Sequence, residues 1–240
     1  MTYCVGLLLN EGMVFLSDTR TNAGVDNIST YRKLFVFAEP GEKLVVIQTA
    51  GSLSVTQTVI AKLREAIEQE DSNHPDNILA APTMLGVAEI VGRVLSDVTA
   101  DISAKVERMS QHATASMIVG GQRKGGAQRL FMLYPEGNFI EATEDTPYMQ
   151  IGEHKYGKPI LDRVVTPETS LEDARKAAIL SMDSTLRSNL SVGLPLDLVI
   201  TRADTCSIIE ETRIEANDPT YQAMSEAWSE ALRNSFKSIP

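Results

Sequence analysis

The chain predicts an α+β fold in which two mostly antiparallel sheets pack face to face with helices on both outer faces. Three observations carry that expectation. Short apolar runs separated by turn residues recur as hairpin-like pairs. Two long helical periodicities follow the first four of these runs, and a second block of strands, helix and strands precedes a terminal helix. A double sandwich absorbs that order, as do other α+β arrangements of the same elements. With 43% hydrophobic side chains and no composition break, residues 1–240 read as a single domain.

The opening run Tyr3-Cys4-Val5-Gly6-Leu7-Leu8-Leu9 meets a turn at Asn10-Glu11-Gly12 and continues as Met13-Val14-Phe15-Leu16-Ser17-Asp18, a hairpin of two largely buried strands. A short turn brings the outer ends of such a pair together, so register alone makes Thr2 and Asp18 spatial neighbours. Thr19 to Thr30 is polar, contains Gly24 and Asn27, and reads as a loop. The segments 31–37 and 43–49 flank Pro40-Gly41 as a second hairpin. Ala50-Gly51-Ser52 closes it and opens a helix with Leu53, Val59, Ile60, Leu63 and Ile67 on one face. After a polar connection from Gln69 to Pro82, a longer helix carries Val87, Val91, Val94, Val98, Ile102, Val106 and Met109.

Strands return at 115–120 and 129–134 across the turn Gly125-Gly126, and 139–141 and 148–151 read as short edge pieces. Ser170 is an N-cap ahead of the acidic first turn of a helix through Ala174, Ala178, Met182 and Leu186. Strands over 196–203 and 205–214 follow. Asp218-Pro219 then opens a C-terminal amphipathic helix, 218–238, whose stripe of Tyr221, Met224, Trp228 and Leu232 suits its own domain or a subunit contact.

Charge and cysteine usage exclude several classes. A net charge of -10 without a Lys/Arg-rich stripe argues against nucleic acid. Cys4 and Cys206 lack metal-ligand spacing and His74, His112 and His154 are scattered, so no metal or cofactor is expected and the compartment is read as reducing. No apolar run approaches the ~20 residues of a membrane span, and the N-terminus lacks a signal peptide's basic region. A cytoplasmic protein with no membrane partner is expected.

The chemistry centres on Thr2. Removal of Met1 would leave a free α-amine and a hydroxyl on adjacent carbons, and an amine with a reference pKa of about 7.7–8.0 is better matched than a lysine to take that hydroxyl's proton. The small side chain of Thr2 suits removal of the initiator methionine, and the active form is expected to begin there. The strand that follows holds the terminus in place. Gly51 permits close backbone approach, and an N–H beside a helix start is suited to a developing negative oxygen.

Met1-Thr2 opening a strand, Ser17-Asp18-Thr19-Arg20, the lysine of Tyr31-Arg32-Lys33-Leu34, and Thr49-Ala50-Gly51-Ser52 before a helix together resemble the proteasome β-subunit family of N-terminal-nucleophile hydrolases. The nearer resemblance is to its bacterial Anbu (ancestral β-subunit) branch, notably from Phe15 to Asp26. The resemblance spans nearly the whole chain. It implies a four-layer αββα sandwich and a catalytic set of Thr2, Asp18 and Lys33, with the Gly51 N–H as oxyanion donor and Ser191 matching a further family serine. Lys33 would favour proton loss at Thr2 by like-charge repulsion, with Asp18 as its ion-pair partner. It also implies Thr21, Tyr31, Thr49 and Leu53 around the pocket for the residue before the cut. A peptide or unfolded protein is the implied substrate, and a homo-oligomer, ring or open spiral, the implied state; an ATPase partner or regulator is left open.

Two positions depart from the family pattern. Glu153, in Ile151-Gly152-Glu153-His154, stands where a Gly-Ser-Gly stretch would place a serine near the terminal amine. Ser188 or Asn189 stands where an aspartate would precede Ser191. The sequence therefore predicts a threonine-type endopeptidase. Its alternatives are an amide hydrolase or acyl transferase on small amides, since an acyl-enzyme does not dictate its acceptor, and a self-assembling scaffold with a residual site.

Overall fold

The structure, a computed structural model, describes residues 1–22, 28–69, 73–106 and 113–239. β1 (Tyr3–Leu9) and β2 (Gly12–Asp18) are buried along almost their whole length because both of their faces are covered. They pair antiparallel from Cys4 opposite Ser17 to Leu9 opposite Gly12. β10 (Tyr148–Gly152) adds to the free edge of β1, and β11 (Leu196–Arg202) and β12 (Ser207–Ile214) add beyond β2, giving the order β10-β1-β2-β11-β12. A second sheet runs in sequence order through β5 (Leu34–Glu39), β6 (Lys43–Gly51), β7 (Ala115–Arg123), β8 (Arg129–Leu133) and β9 (Phe139–Glu141).

Three apolar layers hold these sheets. Between them lie Cys4, Met13, Phe15, Leu34, Val46, Ile118, Leu130 and Val199. Gly120 lets the sheets close at Phe15, since a Cβ there would stand 2.6 Å from the Phe15 ring. On the outer face of the second sheet, α1 (Leu53–Glu68) and α2 (Met84–Val106) bury Val59, Leu63, Val87 and Val91. On the outer face of the first, α3 (Lys158–Val164), α4 (Leu171–Ser188) and the start of α5 (Pro219–Ser238) cover Val5, Leu7, Leu16 and Leu198. Each large apolar side chain withdrawn from water contributes about 1.5–3 kcal/mol, which is why helices must cover both outer faces. The result is the αββα sandwich.

Ser170 caps α4 as its sequence indicates, its hydroxyl accepting from the Asp173 N–H at 3.1 Å. Three features differ from expectation. The segment after Asp18 is not simply a loop: β3 (Arg20–Asn22) and β4 (Ile28–Thr30) form a two-stranded ribbon with Arg20 opposite Thr30. This polar ribbon has no fully buried face and therefore no alternation to read. β7 runs on through Gly120-Gly121 to Arg123, the glycines serving close approach within the sandwich, and α3 is too short to generate a helical period. Gly24, Asn27, Met109 and His112 lie outside the described residues. Among the described residues no helix is long and apolar enough to cross a membrane.

Candidate functional site

The antiparallel pairing of β1 and β2 places the entrance to β1 beside the last residue of β2. There the Asp18 carboxylate, fully buried, accepts three hydrogen bonds. The Tyr3 N–H donates to Oδ1 at 3.0 Å, the Gly193 N–H to Oδ2 at 3.3 Å, and the Lys33 ammonium to Oδ1 at 2.8 Å. Burial pushes the Asp18 carboxyl above the usual carboxylate range, and Lys33 foremost, then the two N–H groups, pull it back.

Lys33 sits one residue before β5, and its carbonyl accepts the Thr49 N–H at 2.9 Å, so pairing of β5 with β6 fixes its backbone. Its ammonium donates also to the Arg20 carbonyl at 2.6 Å and the Met1 carbonyl at 3.4 Å. One buried cation thus ties the ends of β2, β3 and β5 to the residue just ahead of Thr2. Thr2 is itself 8% exposed, while Met1 is 59% exposed. The Thr2 carbonyl accepts the Glu153 N–H at 2.8 Å, at the turn that ends β10. Gly152 has φ +81°, and a Cβ on it would lie 1.9 Å from the Thr2 carbonyl oxygen, so only glycine lets this turn close on Thr2.

Thr2 and Lys33 face a cleft of about 420 Å³ whose walls also include Thr21, Asn22, Thr49, Ala50, Gly51, Leu53 and Thr56. Gly51 ends β6 at φ +112°, where a Cβ would meet the Thr114 carbonyl oxygen at 2.4 Å, and α1 begins two residues later. The sequence-derived residues Thr2, Thr21, Lys33, Thr49, Gly51 and Leu53 therefore share one cleft, with Asp18 buried behind Lys33. Tyr31 and Ser191 do not line it. Tyr31 is 39% exposed, its N–H donating to the Thr19 carbonyl at 2.8 Å. Ser191 lies in the turn between α4 and β11, its N–H donating to Asn189 Oδ1 at 2.9 Å, so Asn189 serves that turn.

Sequence reasoning passed over Gly193, Arg20, Gly152, Asn22 and Thr56. Gly193 reaches Asp18 through its backbone, and a Cβ there would lie 2.2 Å from Arg20 Nε. Arg20 in turn donates from Nη1 to the Leu190 carbonyl at 2.9 Å. The available signal was the pair of glycines beside the motifs already singled out; backbone donors carry no side-chain signature. Among the described residues no cluster of three His, Cys, Asp or Glu side chains is placed to hold a metal ion. Chemically, the site presents a fixed cation in one cleft with a threonine, which favours loss of a proton from whatever titrates next to it.

A family model described as proteasome subunit matches residues 2–200. The chain is 25% identical over 200 residues to proteasome subunit beta 2 of Pyrobaculum calidifontis, covering 82% of this chain and 86% of that protein. Among solved structures it is similar to the Anbu (Gly-1) mutant from Hyphomicrobium sp. strain MC1, with 48% identity and a TM-score of 0.92 over 100% of this chain and 98% of that one. It is also similar to a structure described as the helical assembly of the Anbu complex from Pseudomonas aeruginosa, with 43% identity and a TM-score of 0.91 over 99% and 97% of the two chains.

Proposed function

Because the chain belongs to the proteasome subunit family, and within it to the Anbu (ancestral β-subunit) branch, we propose that it is a threonine-type peptide hydrolase acting through Thr2 once Met1 has been removed. The observation that carries this reading is the Lys33 ammonium, held by Asp18 and the Arg20 carbonyl, sharing a cleft with Thr2. In the unprocessed chain the remaining Lys33 donor is spent on the Met1 carbonyl at 3.4 Å. Removing Met1 deletes that acceptor and leaves the ammonium facing the nitrogen that becomes the terminal amine. Like-charge repulsion then holds the amine neutral, as a base requires.

The hydroxyl of Thr2 attacks a substrate amide carbonyl while its proton passes to the α-amine. The oxyanion forms toward the Gly51 N–H, a type of contact whose loss costs about 10²–10³ in rate in comparable enzymes. Collapse breaks the C–N bond, the α-amine returns the proton to the departing amine, and water hydrolyses the acyl-enzyme by the same route. Thr21, Thr49 and Leu53 offer a mixed polar and apolar wall to an unfolded peptide. The Pseudomonas aeruginosa neighbour, described as a helical assembly, supports self-association of this single-domain chain, and a cytoplasmic location suits its reduced cysteines. Intact-mass analysis after treatment with a β-lactone tests the chemistry: processed protein is expected to gain one acyl group, and Thr2→Ala none. Equal labelling of Thr2→Ala, or reaction of material that wholly retains Met1, would sink it.

A further inference from the structure

β10 ends against the residue that starts the chemistry. Tyr3 stands opposite Gly152, and the Glu153 N–H, donating to the Thr2 carbonyl at 2.8 Å, extends that antiparallel pairing by one place, so half-buried Glu153 lies across from Thr2. The His154 N–H donates to the Gly152 carbonyl at 2.9 Å and closes a tight turn with Glu153 at its apex. His154 Nδ1 lies 3.1 Å from the same carbonyl, so its ring is engaged on the turn itself. Opposite residues that share a hydrogen bond have Cα atoms about 5.5 Å apart. A glutamate spans three bonds of about 1.5 Å from Cα to its carboxyl carbon, and the Thr2 nitrogen is one such bond from its own Cα. The Glu153 carboxylate is therefore within reach of the Thr2 nitrogen.

Among the described residues this carboxylate has no hydrogen bond and no ion pair. The lysines that follow it are engaged elsewhere, Lys158 with Asp162 and Lys155 over the Tyr156 ring. In the unprocessed chain the Thr2 nitrogen is a neutral amide and gives an anion nothing to pair with. Removal of Met1 turns it into an amine, and so creates a cation one side chain away from an unpaired carboxylate.

We propose that Glu153 pairs with the terminal ammonium of processed Thr2 and thereby sets the pH above which Thr2 becomes a nucleophile, a role that rests on the functional reading above. The other charged groups around the amine largely answer one another. Lys33 repels the ammonium but is itself held by Asp18 at 2.8 Å. The Arg20 guanidinium is directed to the Leu190 carbonyl, and Asp197 binds Arg213 at 2.7 and 3.0 Å. Burial keeps the Cys4 thiol and the Tyr3 hydroxyl protonated. Thr49, Gly51 and Leu53, on β6 and α1, carry no charge. Glu153 is the charge left to act on the amine, and a carboxylate beside an ammonium favours the protonated form. At rest the amine keeps its proton. As pH rises that proton passes to water, and only then is the nitrogen lone pair free to accept the proton of the Thr2 hydroxyl.

The test uses the full chain released at Thr2 from a cleavable N-terminal fusion, so that no variant depends on removal of Met1. Cyanate carbamylates only a neutral amine, and mass spectrometry of the N-terminal peptide follows that reaction against pH without any catalysis. Acylation by a β-lactone over the same range follows the nucleophile. Glu153→Gln is expected to move the midpoint of both profiles toward acid by about one pH unit, at the low end of what a neighbouring charge does, so that one unit below the wild-type midpoint both rates rise about five-fold. A merely damaged site would be slower, not faster. Glu153→Asp, which keeps the charge, should stay nearer to wild type than Glu153→Gln. A midpoint unmoved in Glu153→Gln, or moved equally in Glu153→Asp, would overturn the pairing and leave Glu153 acting through its backbone N–H alone. A midpoint that moves in carbamylation while the β-lactone labels nothing at any pH would support the pairing and sink the peptidase reading.

Discussion

Lys33 donates to Asp18 across 2.8 Å with 6% and 0% of the two side chains exposed, so each group is the other's principal compensation for leaving water. Removing one member of such a pair strands the other. Lys33→Met should therefore destabilise the protein by about 3–5 kcal/mol in urea denaturation, because Asp18 would keep only its two backbone donors. Asp18→Asn with Lys33→Met should cost clearly less than the sum of the single changes, the signature of coupling within one contact. Additive losses would mean that the pair is not a unit.

The same variant carries a pH signature. Burial already raises the Asp18 carboxyl, and Lys33 is the largest influence opposing that rise, so Lys33→Met should raise it further. A carboxyl whose folded pKa lies above its unfolded value of 3.8 favours the folded state fully below that value, and this advantage is lost as pH rises through the folded pKa. Lys33→Met should thus lose least stability relative to wild type in mildly acidic buffer and most at neutral pH. A gap that widens on acidification would contradict the assignment of the defect to a stranded carboxylate.

Placement of Thr2 depends on a turn that no side chain reports. With Gly152 at φ +81° and its missing Cβ directed at the Thr2 carbonyl, Gly152→Ala must push the terminus away or unfold the turn. A residue held at such a φ costs on the order of 1–3 kcal/mol, and a displacement near 1 Å can cost about 10² in rate. The rate of Thr2 acylation by a β-lactone is expected to fall by about 10² or more in Gly152→Ala, with circular dichroism close to that of wild type and a melting temperature lower by roughly 2–12 °C. Undiminished acylation would show that the turn does not set the nucleophile.

These dependences explain how much was legible in the sequence. The β1–β2 hairpin, both long helices and the meeting of Thr2's strand with Asp18 follow from alternation, period and turn residues. Of the cleft residues, Gly51 is readable from its place between a strand and a helix start, whereas Thr21, Lys33, Thr49 and Leu53 are named through the resemblance to the proteasome family, because no local period marks a residue as facing a cleft. What escaped was carried by backbone atoms or by long-range closure: the N–H groups of Gly193 and Glu153, the Arg20 carbonyl on Lys33, and the β3–β4 ribbon. Tyr31 stands off the cleft for a related reason. Its backbone is anchored to Thr19 in the ribbon's hydrogen bonding, a constraint invisible to strand periodicity.

The two halves of α5 should separate under truncation. Ending the chain after Glu230 removes, among the described residues, only exposed ones, and the melting temperature of the monomer should change little. Ending it after Asn217 instead deletes Tyr221 and Ser225, the hydroxyl donors to Asp183, a side chain 3% exposed that would keep only Arg187. It also uncovers the cluster against which Tyr221 and Met224 pack. An unsatisfied buried acceptor costs about 1–3 kcal/mol and each lost apolar side chain a similar amount. A loss of about 3–6 kcal/mol corresponds to roughly 6–20 °C for a domain of this size. Differential scanning calorimetry of the two truncations distinguishes them, and Tyr221→Phe isolates the polar share at about 1–2 kcal/mol. Equal melting of both truncations would show that no part of α5 belongs to the core, whereas equal collapse would place its distal turns there too.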